Sequence, residues 1–211
     1  MRSDNATRAG NQQGSPIITL DPSETTRRAP SPSVCRAYLL GALHDGTFNK
    51  YNQRHRFAQA GTDWLYILKN FLAITGHSSW IYKEGSNREV YILETRANFL
   101  DIKFDPLTLK NWEDRIAYLR GFFDAEGGIP RKPKARLYIQ LVQNGNDKLE
   151  KIKFLLKGLG IRTGKIHNPS INVNPDYFRM FVSSDSQKKF LQIISTWHPR
   201  KIRTLKRRMM I

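Results

Sequence analysis

Apolar residues recur at helical spacing and then in short alternating runs, and this order occurs twice along the 211 residues of the chain. The pattern becomes regular near Val34. It predicts a helix over residues 34–45, strands over 47–52 and 54–59, and a helix over 62–75 with Trp64, Leu65, Leu68, Leu72 and Ile74 on its apolar side. Strands follow over 80–83 and 89–94, turned at Gly85, and a short helix over 97–102 closes the unit. The second pass begins with a helix over 112–125. It continues with strands at 128–129 and 136–143, a helix over 147–159 stopped by Gly160, strands over 164–168 and 178–183, and a helix over 186–196. A basic helix over 199–210 has no counterpart in the first pass.

These elements predict an α+β fold of two αββαββα halves related by an approximate twofold axis, with antiparallel sheets. Residues 34–102 form the first half, 103–111 a linker and 112–211 the second half with its basic C-terminal helix. Residues 1–33 are rich in Ser, Thr, Pro, Gly, Asn and Arg and read as a flexible tail. Gly41 and Gly121 lie about eighty residues apart, too far for a solenoid repeat.

The first helices of the two halves share an unusual design. One reads Tyr38-Leu39-Leu40-Gly41-Ala42-Leu43-His44-Asp45-Gly46; the other reads Tyr118-Leu119-Arg120-Gly121-Phe122-Phe123-Asp124-Ala125-Glu126-Gly127. Each has a glycine inside it and ends in an acid followed by glycine. A helical glycine costs about 1 kcal/mol relative to alanine, and close approach of another helix is a reason to accept that cost. A carboxylate at a helix C-terminus meets the negative end of the helix dipole, and a divalent cation relieves the clash. The first copy is one residue shorter between glycine and acid. Either its helix ends a residue early or Gly41 does not sit where Gly121 does.

Charge narrows the partner. Thirty-five Lys and Arg face eighteen Asp and Glu, a net charge of +17. A surplus of that size points to a polyanion, and nucleic acid binds such surfaces through counterion release at phosphates. The single cysteine, Cys35, excludes a disulfide framework and a Cys-rich zinc site, and the five His lack metal-ligand spacing. No apolar run approaches the roughly 20 residues of a membrane-spanning helix, and there is no signal-peptide core. The expectation is an intracellular protein that resides with DNA, not secreted and not in a membrane.

With both motifs in view, the chain resembles the LAGLIDADG homing endonucleases in their single-chain form with two motif copies, over roughly residues 34–200. The resemblance implies that the motif helices pack at the interface of the halves. It further implies a monomer that hydrolyses both strands of a long, asymmetric double-stranded DNA target. Asp45 and Glu126, with the backbone of Gly46 and Ala125, would bind Mg2+, for which Ca2+ or Mn2+ substitutes. The resemblance also assigns Gln59 and Gln143, at strand ends before the second helices, to ordering the waters of the site. Arg96, past the fourth strand, takes a supporting basic role; the second half offers Asp185 or Lys188 there. A splicing maturase, a non-cleaving regulator and a single-strand nickase are the alternatives on the same fold.

DNA reading falls to the strands. Alternation turns Leu137, Ile139 and Leu141 toward the helices and Arg136, Tyr138 and Gln140 away from them. In the first half the candidates are Asn49, Tyr51, Gln53, Arg54, Arg56, Trp80, Tyr82 and Lys83. Arg131, Lys132 and Lys134 form a basic loop for phosphate or flanking bases. Lys165, His167, Asn172 and Arg179 are further candidates on the second half, and Arg200 and Lys201 are backbone contacts in the basic C-terminal run.

Overall fold

The computed structural model describes residues 29–132, 134–208 and 211. Most of the N-terminal stretch read as a tail lies outside the described residues. Helix α1 (Pro32–Ala42) starts earlier than the apolar pattern alone indicates. Ser31 caps it, its hydroxyl accepting from the Val34 amide, and Pro32 occupies the first turn, where its missing N–H is no loss. A 3-10 turn (Leu43–Asp45) follows, then strands β1 (Gly46–Asn49) and β2 (Arg54–Ala60). Helix α2 (Asp63–Ile74) and strands β3 (Ser79–Lys83) and β4 (Val90–Thr95) complete the first unit.

The second unit has helix α3 (Trp112–Glu126), strands β5 (Gly127–Gly128) and β6 (Gln140–Asn144), helix α4 (Asn146–Gly158) and strand β7 (Tyr177–Phe181). Helices α5 (Gln187–Ile193) and α6 (Pro199–Lys206) end it. Both sheets are antiparallel, with orders β1-β2-β4-β3 and β5-β6-β7.

Three expected elements differ. Residues 97–102 form two turns, not a helix: Thr95 Oγ1 binds the Ala97 amide, and the Leu100 and Phe104 amides reach back three residues. Residues 164–168 are not a strand. They meet β7 only through isolated bridges, Thr163 to Val182 and His167 to Arg179, so the second sheet lacks a full fourth strand. Residues 136–139 are not part of a strand, although the Val182 amide donates to the Ile139 carbonyl at 2.9 Å, and β6 begins at Gln140. Their alternation nevertheless holds: Ile139 and Leu141 are buried, whereas Arg136 and Tyr138 are exposed.

The core is continuous through both units. Tyr38, Leu39, Leu43, Tyr118, Phe122 and Phe123 sit at its centre, flanked by Phe57, Trp64, Leu65 and Leu68 on one side and Ile139, Leu149, Leu156 and Phe190 on the other. Helices α1 and α3 cross at this centre with their backbones in contact. A methyl group at Gly41 would run into the Tyr118 carbonyl oxygen and stand 2.9 Å from Phe122 N; one at Gly121 would run into the Tyr38 carbonyl oxygen and stand 2.9 Å from Ala42 N. The two glycines are therefore equivalent, and the first helix is the one that ends early.

The missing residue is absorbed at the helix end. The Gly127 amide closes an α-turn on Phe123 O, four residues back, whereas the Gly46 amide closes a 3-10 turn on Leu43 O, three back. Both glycines then enter the first strand of their sheets, Gly46 opposite Phe57 and Gly127 opposite Leu141. The acids before them, Asp45 and Glu126, thus occupy equivalent places. Replacing Gly41 or Gly121 with alanine must push two backbones apart. We expect a loss of at least about 2–3 kcal/mol from either change, read as a lower midpoint in urea unfolding.

Candidate functional site

Two helix ends meet beside two sheets, and two carboxylates raised well above their usual range lie there. Burial is the first cause of the shift at both acids. It pushes Asp45 up to about 6, against a hydrogen bond from Gln59 and the charge of Lys201. It pushes Glu126 up to about 7, helped by the negative charge of Asp45 and opposed by Lys201 and Lys148. Asp45 keeps an open surface, yet enough protein surrounds it to disfavour its charge. The charge of Asp45 reaches Glu126, which sets the two acids near one another.

Gln59 lies on the face of β2 that Phe57 buries, and its Nε2 donates to Asp45 Oδ2 at 2.7 Å. Gln143 holds the matching register on β6 but does not bind an acid. Its Oε1 accepts from the Asn144 amide, and its Nε2 donates to His44 Nδ1 at 2.7 Å. His44 therefore carries its proton on Nε2, facing the Tyr118 hydroxyl at 2.6 Å. Burial and the charge of Lys148 lower His44 to about 3, so it is neutral.

Pseudosymmetry puts Asp124 opposite His44. Tyr38 donates to Asp124 at 2.6 Å, as Tyr118 pairs with His44. Trp64 Nε1 donates in turn to Tyr38, and the Trp197 amide and Thr196 hydroxyl complete the shell of Asp124. Asp124 is 2% exposed and accepts three hydrogen bonds, so it ties α1, α3 and the α5–α6 connection together.

Lys201 departs from the expected phosphate contact. It is 3% exposed, and its Nζ donates to the carbonyls of Phe123 and Asp124 at the C-terminal end of α3. This is the favourable place for a cation on a helix dipole. Burial lowers it to about 8, against the pull of Asp124, Glu126 and Asp45. The basic C-terminal helix thus turns one face inward. Arg96, expected to support the site, is exposed past β4 and makes no contact with either acid among the described residues.

The donor set suits a hard cation: carboxylate oxygens with excess negative charge. Among the described residues no group of three His, Cys, Asp or Glu gathers, so protein side chains alone supply only part of an octahedral shell. A cation held there would need further oxygen donors to complete its shell.

The outer sheet faces carry the other candidates. Asn49 Oδ1 accepts from the amides of Tyr51 and Asn52 and so shapes the β1–β2 turn. Tyr51 at its tip is 94% exposed, and Gln53, at positive φ, donates to the Lys50 carbonyl. Arg54 lies over Trp80 at 4.8 Å and donates to Glu94 Oε2 at 3.0 Å. Arg56 Nε stands 3.1 Å from Glu94 Oε1, which also accepts from Tyr82, and Arg56 reaches Glu84. Burial alone would raise Glu94, but the hydrogen bonds from Tyr82 and Arg54 and the charges of both arginines hold it below its usual value. Lys83 pairs with exposed Glu89.

On the second unit Arg136 and Tyr138 are exposed and Gln140 half-buried. Arg179 donates to His167 at 3.0 Å, and both rest on Phe181. Lys165, Asn172 and Arg200 are exposed. Arg131, Lys132 and Lys134 stand on a loop whose carbonyls at Pro130, Lys132 and Ala135 are gathered by Arg208. The motif spacing pointed to the two acids. Glu94, Lys148, His44 as a hydrogen-bonded hub and the inward turn of Lys201 had no signal beyond residue type.

Among the described residues, no helix is long and apolar enough to cross a membrane. Free of metal, the raised Glu126 carboxyl binds its proton more tightly folded than unfolded. Its charge therefore removes stability as pH rises from 4.5 to about 7, and the loss is complete above that. Glu126→Gln is expected to raise the melting temperature over wild type at about pH 8, with most of the gap closed at about pH 5. An equal gap at both values would contradict the placement of this carboxylate.

Residues 113–195 match the model of the LAGLIDADG-like domain. No curated protein matches the chain. Among solved structures, I-DmoI in complex with DNA and Mn matches at TM-score 0.59 and 20% identity, covering 78% of this chain and 98% of that one. A complex of I-DmoI with DNA and Ca matches at 0.57 and 21%, covering 84% and 99%. Full-length DUF199/WhiA from Thermatoga maritima matches at 0.63 and 17%, covering 87% and 63%. At these identities the likeness establishes the fold.

Proposed function

We propose that this chain, which carries a LAGLIDADG-like domain and is similar in fold to the homing endonuclease I-DmoI over 78% to 84% of its length, is a metal-dependent, sequence-specific DNA endonuclease. The observation that carries the reading is the joining of Asp45 and Glu126. Burial raises both acids at the two helix ends, and the charge of Asp45 adds to the proton affinity of Glu126. A site of that kind is stabilised by a dication and by the phosphate that comes with it.

Asp45 and Glu126, with the carbonyls of Gly46 and Ala125, would hold the metal. When bound, a divalent ion lowers the pKa of a water and stabilises the leaving oxygen of a phosphodiester. The protein's own part is positional. Gln59 fixes the Asp45 carboxylate, and the Gly41–Gly121 crossing fixes the distance between the helix ends. Lys201 adds positive charge behind the site. The sheets and the basic loop 131–134 bind the duplex on the outside, consistent with the net charge of +17. I-DmoI is described in complex with DNA and with Mn or Ca, which supports both the partner and the cofactor class.

Cutting of one strand only is the second reading. Gln143, turned onto His44, does not orient Glu126 as Gln59 orients Asp45. Selection of a randomised duplex library in Ca2+, followed by transfer to Mg2+, tests both. We expect retained duplexes to be cut in both strands, with Asp45→Asn and Glu126→Gln each reducing product by at least about a hundredfold. Nicked product alone, lost in only one of these variants, would support the one-strand reading. Retention without cutting in any divalent metal would leave a binding protein.

A further inference from the structure

The two sheets present different chemistry at equivalent positions. Phe57 faces Gly46 and Leu141 faces Gly127, so Arg56 corresponds to Gln140 and Arg54 to Tyr138. Across the next strand, Arg56 pairs with Glu94, whereas Gln140 pairs with Phe181. The first sheet is therefore organised around a carboxylate and the second around a ring on which Arg179, His167 and Tyr138 gather.

An acid on a sheet face that meets DNA opposes phosphate binding, so Glu94 needs a local reason. It is 7% exposed and both its oxygens are engaged: Oε2 by Arg54, Oε1 by Tyr82 and Arg56. Buried and held by three partners, it is not free to turn outward to a cytosine amino group. Its effect falls on Arg54. One edge of that guanidinium is pinned by Glu94, its plane rests on Trp80 at 4.8 Å, and among the described residues no protein group takes Nη2. Nε is buried without a hydrogen-bond partner, so a planar fork held at Nη1 and on one face presents Nη2, with the second Nη1 hydrogen beside it, in a fixed direction. Guanine O6 and N7 in the major groove are the base atoms that match two such donors.

We propose that Glu94 and Trp80 position Arg54 as a guanine reader, making the first half the side that fixes a guanine in the DNA target. This rests on the DNA-binding reading above. The second half, with Phe181 in place of Glu94, has no such buttress and reads its half-site through Tyr138, Gln140 and the Arg179–His167 pair. Arg56 shares the carboxylate but gives both Nη2 protons to Tyr82 and Glu84, so its reading of a base is through Nη1 alone.

The experiment is selection and sequencing of randomised duplexes bound in Ca2+ by wild type, Glu94→Gln and Arg54→Met, with affinity for random duplex measured beside it. Wild type should show a guanine whose replacement weakens binding by about tenfold. In Arg54→Met that preference should vanish at the same position. In Glu94→Gln it should fall to threefold or less by rough expectation, while affinity for random duplex stays equal or rises, because one negative charge has gone. A fold-wide defect cannot lower specific and raise non-specific binding together. Unchanged guanine preference in Glu94→Gln, or a parallel fall of both affinities, would overturn the proposal. So would a guanine position indifferent to Arg54→Met. Absence of any duplex binding by wild type would overturn the DNA reading itself.

Discussion

At Gly41 and Gly121 the backbones of two helices lie against one another without a side chain between them, and the distance they set reaches every other part of the molecule. The crossing places Tyr38 and Tyr118 in the opposite unit, where Tyr38 bonds Asp124, two residues before Glu126, and Tyr118 bonds His44, directly before Asp45. It also brings the two C-terminal helix ends to one point. Dipole ends of like sign, each with a carboxylate, would repel. The chain answers with a buried lysine on the Phe123 and Asp124 carbonyls, while Asp45 and Glu126 keep raised proton affinities.

Position of charge, more than its amount, distinguishes this protein. The surplus of positive residues is spread over the surface, but the two cations that matter most to the site are inward or close by: Lys201 under α3 and Lys148 at the start of α4. Both lower the proton affinity of Glu126, and neither neutralises the pair, since both acids stay raised. A buried acid that keeps an elevated pKa despite nearby lysines is poised for a partner of higher charge.

The approximate twofold is broken in ways that share a logic. The first motif ends in a 3-10 turn where the second ends in an α-turn, and this alone lets Asp45 match Glu126 despite the shorter spacing. His44 stands where Asp124 stands, which draws Gln143 away from the acids and leaves only Gln59 bound to one. The sheets diverge likewise, one built on Glu94 and the other on Phe181. On the proposed DNA-binding reading, an asymmetric molecule of this kind would suit an asymmetric duplex, because each half would present different donors in the groove.

By itself the sequence determined the α+β order, the duplicated glycine–acid helices and the inner face of each strand. These follow from periodicity and local backbone preference: Gly41 and Gly121 stand out because a helix disfavours glycine, and Ile139 and Leu141 are inward because strands alternate. It also marked Gln59 and Gln143 by position, but not that they take different partners. The helix expected over 97–102 became turns and the strand over 164–168 became two bridges, since short segments are set by what they pack against and not by their own pattern. Only the tertiary structure decided that Lys201 faces inward, that Glu94 holds Arg54, and that a 3-10 turn replaces the missing residue. Each depends on groups far apart in the chain meeting across an interface, and such contacts leave no periodic trace in the order of residues.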